Sequence, residues 1–294
     1  MPANFGRSLT CELKRAFESP WMMVSLAVSC ALVAVSAWGN FRLYSTVAGF
    51  VRDYGSEKAY GIESLSAFSL WAVVDPRQPT THILYALMPL ACCVPWSWSL
   101  GEDLRNGFSA QELTRMGSRG GWLTAKYCSC FLSGVLAAGI PVVASVVLGL
   151  CIAPATLPMP TSLFYLEAIV DSRTPLAFLY YNAPALFALC WTCIDMLLAG
   201  LWATCVMAVS CLVRSRIALL AGAELTQLLV RFLTTRLSGV LGTEIPSFDL
   251  PTLMYLGAAG PQATPIAILV VVGLMAGVSA LAFWLLGRGD LSWV

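Results

Sequence analysis

The sequence predicts an all-α membrane protein with six transmembrane helices and both termini in the cytosol. Its residues are 58% apolar and only 11% charged, whereas soluble domains carry roughly a quarter charged residues. Long apolar runs recur along the chain, and the connections between them are too short to form a soluble domain of useful size. A water-soluble fold is therefore excluded. The net charge of +1 argues against a nucleic-acid-binding protein, which needs a concentrated basic surface.

The first twenty residues predict an amphipathic helix in the membrane interface. Apolar side chains recur there at helical spacing, while the charged side chains face elsewhere. The apolar positions are Phe5, Leu9, Leu13 and Phe17. Pro20 separates this segment, 1–20, from a transmembrane domain that we assign to residues 21–294.

Each predicted span is an apolar run of roughly 19 residues or more, long enough to cross the hydrocarbon core at about 1.5 Å per residue. The spans are about 21–39, 82–100, 127–153, 184–212, 217–235 and 265–286. The second contains Pro89 and Pro95, which we expect to bend it, because a proline removes a backbone hydrogen bond.

Two further apolar stretches are too short to cross. We interpret the first, residues 65–74, as a turn of helix resting on the membrane surface. The second, residues 250–259, lies in a connection rich in glycine and proline, and we interpret it as dipping into the membrane without crossing.

Six spans place both termini on one side of the membrane, and the distribution of basic residues indicates which side. The side that holds the termini has ten Lys and Arg residues: Arg7, Lys14, Arg15, Arg105, Arg115, Arg119, Lys126, Arg214, Arg216 and Arg288. The opposite connections are longer but have only six: Arg42, Arg52, Lys58, Arg77, Arg173 and Arg236. The positive-inside rule then predicts cytosolic termini in a multi-pass protein of the plasma or inner membrane.

Nothing in the sequence predicts a catalytic or metal site. The chain contains no G-x-x-x-x-G-K-[ST] phosphate loop, no G-x-S-x-G and no H-E-x-x-H. The single histidine, His82, stands at the entrance of the second span, and we interpret it as structural or interfacial. Cys190 and Cys193 form a C-x-x-C inside a span without a histidine or second cysteine pair nearby in sequence, so we expect no metal there.

The connection between the second and third spans carries the most specific pattern of the chain. It contains, in order, Glu102-Asp103, Gly107, Thr114-Arg115, Ser118-Arg119 and Ala125-Lys126. This resembles the permease subunits of ATP-binding-cassette transporters of the type-two export class, in which an E-D … G … R-x-x-S-R … A-K pattern joins these two spans. The amphipathic helix, the six spans and the Gly/Pro-rich outer segment agree with the layout of that family. Met116-Gly117 departs from it, because family members often have a proline before the Ser-Arg.

The resemblance implies a non-catalytic permease that pairs with a second, identical or homologous, permease. Separate ATPase subunits, which bind the ATP and Mg²⁺, would dock on the cytosolic loops, and this chain would hold no cofactor. The residues implied in coupling to the ATPase are Glu102, Asp103, Gly107, Arg115, Ser118 and Arg119.

The chemistry of the loop is consistent with that role. Glu102 and Asp103 would stay hydrated or pair with Arg105. An apolar face for a groove on the partner would come from Leu104, Phe108, Leu113 and Met116. The alternative is a solvated loop whose basic residues only set the topology.

Four polar residues lie inside predicted spans, where they are costly. They are Asp195 in the fourth span and Glu224, Gln227 and Arg231 in the fifth. The last three follow i, i+3, i+7 spacing and share one helical face. They predict a polar wall of a substrate route or of a subunit seam, with Asp195 paired to a basic residue. The alternative is an internal structural ion pair, with Arg231 reaching the outer headgroups.

Two other functions remain open at this level. One is a non-transporting membrane subunit on the same fold, such as a sensor or immunity component. The other is a secondary transporter driven by an ion gradient, a class that often shows paired halves and broken midplane helices. The absence of a convincing internal repeat counts against the second. The sequence does not identify the substrate.

Overall fold

The computed structural model describes residues 2–54, 66–108, 111–113, 119–158, 170, 174–213, 215–242, 245–257 and 263–288, which contain helices but no strands. In chain order the helices are α1 (Pro2–Phe17), α2 (Pro20–Tyr54), α3 (Pro79–Cys93), α4 (Ser99–Arg105), α5 (Arg119–Ile152), α6 (Ala177–Asn182), α7 (Pro184–Val209), α8 (Arg216–Leu241), α9 (Leu250–Met254) and α10 (Pro265–Arg288). Among these described helices, five are long and apolar enough to cross a membrane: α2, α5, α7, α8 and α10. The fold is therefore that of an all-α, multi-pass membrane protein.

The predicted second span is interrupted. Helix α3 ends at Cys93, residues 94–98 form turns, and α4 begins at Ser99. Pro95 explains the break, because it has no N–H for the carbonyl of Ala91. That carbonyl instead accepts a hydrogen bond of 2.7 Å from Ser25 Oγ of α2. Two helices thus replace a continuous helix over 82–100, and a side chain of the neighbouring helix α2 hydrogen-bonds to the carbonyl left free at the break.

Several long helices extend beyond their predicted ends. Helix α2 continues to Tyr54 instead of ending at 39, since neither proline nor a cluster of glycines follows to stop it. Helix α5 begins at Arg119, eight residues before the predicted start at 127. Helix α8 continues to Leu241 and is ended by Gly242, which adopts a left-handed φ of 63°. Glycine is the usual residue at such a C-terminal position because it has no Cβ to clash.

The apolar stretch predicted on the membrane surface lies instead in the protein interior. Residues 66–75 are all buried and include the 3₁₀ helix Ala67–Leu70. Trp71, at the end of this helix, packs edge-to-face on Phe187 of α7 with ring centroids 6.2 Å apart. A surface position would have exposed a tryptophan and several aliphatic side chains, so burial among the long helices is favoured by the hydrophobic effect.

Hydrogen bonds satisfy the backbone of this buried segment, as irregular chain requires at membrane depth. Ala67 N donates to Pro154 O at 3.0 Å, and Val73 O accepts from Leu256 N at 2.8 Å. Residue 256 follows α9, which is also packed inside the protein. The two non-crossing stretches therefore meet, and together they fill one end of the bundle, which we call the distal end.

The opposite, basal end carries α1 and a second apolar cluster. Helix α1 packs on α5 and buries Ala16 and Glu12. Glu12 therefore points into the protein, which corrects the prediction that the charged side chains of this helix all face away from its apolar side. The cluster brings together residues of α1, the turn after α3, α4, and parts of α5, α7 and α10. Its members include Ala16, Trp96, Leu100, Trp122, Leu123, Met207, Phe283 and Leu286.

Candidate functional site

A buried lysine organises the basal end. Lys126 of α5 has a fully buried side chain, and its Nζ lies 2.6 Å from Glu12 Oε2 of α1. The same ammonium donates a hydrogen bond to Asp103 of α4. Burying a charge is costly unless it is paired and hydrogen-bonded. Lys126 therefore joins α5 to α1 and to α4.

Arg15 adds a second cation beside the first. Its guanidinium lies 3.0 Å from Glu12, 3.6 Å from Asp103 and 3.9 Å from Glu112. It also stands over the ring of Phe108, 4.8 Å from the centroid, a favourable cation–π distance. We call Glu12, Arg15, Asp103, Glu112 and Lys126 the basal ion-pair network.

Glu112 fixes the loop to α5. One of its carboxylate oxygens accepts a hydrogen bond of 2.6 Å from Trp122 Nε1. Burial raises the pKa of Glu112 above its ordinary value of 4.5, and the nearby Glu12 adds to that rise. The Trp122 hydrogen bond and the cations Lys126 and Arg15 act in the opposite direction without cancelling it.

This raised pKa predicts a pH-dependent stability that Glu112→Gln removes. The folded protein holds the Glu112 proton more tightly than the unfolded chain does, so stability falls as the pH rises through the folded-state pKa. Glutamine mimics the protonated acid and keeps an acceptor for Trp122. We expect the variant and the wild type to unfold at the same temperature below pH 4.5, and the variant to be the more stable one at higher pH.

Thermal unfolding in detergent between pH 4 and 8 measures this difference. Glu18→Gln is the matched control, because Glu18 is largely exposed and forms only a surface pair with Lys14. A Glu112→Gln protein that is less stable than the wild type at pH 7 would contradict the assigned direction.

Helix α4 is fastened on its other side to α7 and α8. Glu102 forms an ion pair with Arg216 at the start of α8, and the Arg216 guanidinium lies 3.9 Å from the centre of the Trp98 ring. Gly101 N donates to Ser210 Oγ, just after α7, at 3.0 Å. Arg105 donates to Val213 O at 3.0 Å and is therefore engaged with the backbone. The expected pairing of Glu102 or Asp103 with Arg105 is not what the described residues form.

An open groove of about 590 Å³ runs between α1 and α4 beside the network. Aromatic and charged side chains line it together, among them Arg15, Glu18, Trp96, Trp98, Glu102 and Phe108. Two of the four apolar residues predicted to contact a partner are turned into the protein instead. Leu104 and Leu113 pack inward on the basal cluster, whereas the exposed surface at the end of α4 is formed by residues 105–107.

The network also bears on metal binding. Glu12, Asp103 and Glu112 each offer an oxygen within 4.8 Å of the others. Each of these carboxylates already pairs with the ammonium of Lys126, the guanidinium of Arg15 or both. The arrangement is therefore that of an ion-pair network, and we assign no metal to it.

Four of the six residues of the predicted coupling set lie in the described part of the chain. Glu102 and Asp103 lie on α4, and Gly107 follows it in a turn with a φ of 69°. Arg119 is the first residue of α5. The other two predicted residues, Arg115 and Ser118, lie outside the described residues.

The polar residues inside the spans do not form the predicted ion pair. Asp195 is fully buried, yet no described residue makes a hydrogen bond to either of its carboxylate oxygens. Gln227 is buried, and its Oε1 is satisfied by a hydrogen bond of 2.9 Å from Leu250 N. Glu224 is half-buried and Arg231 is exposed. These residues therefore occupy different environments rather than one continuous polar wall.

Sequence reasoning did not identify the partners that complete the basal site. Glu12 and Arg15 were assigned to an interfacial surface, and Lys126 to the end of a loop. One signal was present: Glu12 and Arg15 stand i, i+3 on α1, and Lys126 immediately precedes a long apolar run. Only the three-dimensional packing shows that these charges meet.

A comparison with protein-family models, curated proteins and solved structures finds no match to this chain.

Proposed function

We propose that this chain is the permease subunit of an ATP-driven exporter of the ATP-binding-cassette type, coupled to separate ATPase subunits at its basal end. The observation that carries the proposal is the basal ion-pair network. Through it, the short helix α4 between two spans is joined to the amphipathic helix and to α5. The partner ATPase binds ATP and Mg²⁺, and this chain forms the translocation pathway with a second permease, identical or homologous.

The positions of the helix ends support six crossings. The contact between Glu12 and Lys126 brings the start of α2 and the start of α5 to the same end of the bundle. The chain must therefore return between them, and α3 with the turn after it is the segment available for this sixth crossing. Phe283 and Leu286, near the end of α10, pack in the basal cluster as well. The excess of basic residues there favours a cytosolic basal end in a cell membrane.

The fastening of α4 supports a role as a lever. Asp103 links it to α1 and α5, Glu102 links it to α8, and Gly101 packs on the end of α7. A partner that pushes on α4 would therefore displace several long helices at once. For ATP to drive that change, the ATPase must bind one arrangement of these helices more tightly than another.

The exposed tip of this lever defines where the ATPase should touch. Arg105, Asn106 and Gly107 are exposed, whereas Gly101 and Asp103 are buried. A photo-reactive amino acid at Asn106 is expected to form a covalent adduct with a subunit that carries a nucleotide-binding phosphate loop, identified by mass spectrometry after irradiation of intact cells. The matched control is the same amino acid at Ser45, an exposed position on the distal part of α2.

The result separates the candidate functions. An ATPase adduct at 106 but not at 45, with ATP hydrolysis that responds to a transported compound in vesicles, supports the exporter. An adduct with an ATPase that responds to no compound supports the non-transporting subunit. A chain that gives no ATPase adduct at 106 and transports in vesicles on an ion gradient alone refutes the proposal.

A further inference from the structure

Among the described residues of the membrane core, Asp195 has the one carboxyl group that is fully buried and left without a hydrogen-bond partner on both oxygens. It lies eleven residues after the start of α7 and fourteen before its end. At about 1.5 Å per residue, these positions are roughly 16 and 21 Å from the two ends of the helix. The group is therefore close to the middle of the bilayer, where water does not compensate for a missing partner.

Arg231 of α8, fifteen residues from the basal start of that helix, lies at a similar depth, but its side chain is exposed and no described residue hydrogen-bonds to Asp195. Helix α5 has no charged residue after Lys126, and α10 has none before Arg288. The Tyr85 hydroxyl of α3, a helix that packs against α7, is itself buried without a described partner. Glu224 of α8 and Asp249, which caps α9, are acids. An ionised Asp195 would thus be an unpaired charge in hydrocarbon, at a cost far above that of a neutral carboxyl group.

We propose that Asp195 is a proton-binding site: it holds a proton in this conformation and exchanges it with water at the distal end. The exchange adds one proton to the carboxylate or removes one from the carboxyl group, and no other bond changes. This inference concerns a proton rather than ATP, and it stands whether or not an ATPase docks at the basal end.

Three titratable side chains, Tyr85, Tyr255 and His82, pack in a row that ends at the distal surface. The ring of Tyr85 stacks on that of Tyr255 with centroids 5.0 Å apart. The Tyr255 hydroxyl lies 3.3 Å from Nε2 of His82, which is exposed. Hydroxyl and imidazole groups both donate and accept hydrogen bonds, so each can receive one proton and release another. We infer that the proton of Asp195 reaches water along this row, which avoids the lipid.

Asp75 shows how a buried acid is stabilised when it is ionised. It is as deeply buried as Asp195, but it pairs with Arg77 at 2.6 Å and accepts a hydrogen bond of 2.8 Å from Asn40. The same chain thus supplies partners to one buried carboxylate and leaves the other without them. This contrast also provides a matched control.

Infrared spectroscopy of the purified protein in lipid vesicles tests the proposal. A protonated carboxyl group absorbs in the C=O stretching region, apart from carboxylates. We expect such a band at neutral pH, its loss in Asp195→Asn, and its retention in Asp75→Asn. If the asparagine variant does not fold, Asp195→Glu keeps the group and must shift the band. If the C=O stretching region is the same in the wild type and in both Asp195 variants, the proposal is overturned.

The route is tested by transferring the vesicles into D₂O and following the isotope shift of the same band. Tyr85→Phe and Tyr255→Phe remove one hydroxyl each and leave the rings, so we expect the shift to slow several-fold in both. Tyr44→Phe, on the distal part of α2, is the control and should exchange as the wild type does. Wild-type exchange rates in both row variants would overturn the distal route.

Discussion

Replacing Lys126 by methionine is expected to destabilise the protein by about 3–5 kcal/mol, because it leaves buried carboxylates without their cation. Lys126 is fully buried and contacts both Glu12 and Asp103. Methionine has a similar length and is apolar, so lost packing contributes little and the unpaired charges dominate. Thermal unfolding in detergent micelles, followed by the loss of monodisperse protein, measures the change.

Two comparisons separate this effect from a general loss of a lysine. Lys14→Met removes a largely exposed cation from a surface pair with Glu18 and is expected to change stability by no more than about 0.5 kcal/mol. Combining Lys126→Met with Glu12→Gln and Asp103→Asn removes the stranded charges and should recover much of the loss. If Lys126→Met is no less stable than Lys14→Met, the network does not hold the basal end together.

Composition and apolar period were sufficient to predict the class of fold. Few charges and long apolar runs require helices in a membrane, and the structure confirms this class with five long apolar helices among the described residues. The helical period of the first twenty residues also corresponds to a helix, Pro2–Phe17. These features depend on local sequence alone.

Features that depend on distant partners could not be predicted in this way. The burial of 66–75 requires hydrogen-bond partners near residues 154 and 256, which no local pattern indicates. The break after Cys93 is local in cause, because Pro95 is visible in the sequence. The break is tolerated inside the membrane because Ser25, about seventy residues away from Pro95, donates a hydrogen bond to the Ala91 carbonyl. Helix ends and buried irregular segments are therefore set by tertiary contacts.

The candidate site shows the same division. The pattern around Glu102 and Asp103 indicated a charged segment, but not the partners of these two residues. Asp103 pairs with Lys126. Glu102 pairs with Arg216, which lies more than a hundred residues further along the chain. A sequence pattern can thus indicate which loop carries charge, whereas the packed helices determine which charges become pairs and which, like Asp195, remain without a partner.

Gly101→Ala is expected to separate α4 from the end of α7. A Cβ atom at residue 101 would lie 2.1 Å from the Ser210 carbonyl oxygen and 2.7 Å from its carbon. Both are backbone atoms, so no side chain can rotate away. Overpacking of this kind costs about 1–3 kcal/mol, and we expect the upper part of that range, measured by thermal unfolding in detergent.

Gly120→Ala is the matched control, because it lies in the first turn of α5 with no heavy atom within 4 Å of the added Cβ. Alanine favours helix there, so this variant should be neutral or more stable by up to about 1 kcal/mol.

If α4 is the lever, Gly101→Ala should also abolish the response of ATP hydrolysis to substrate, while the contact of Asn106 with the ATPase persists. Gly120→Ala should retain both the response and the contact. If the two variants are equally stable and equally coupled, α4 does not act through the contact between Gly101 and Ser210. A loss of stability with intact coupling would leave α4 a structural element and require another route for the force.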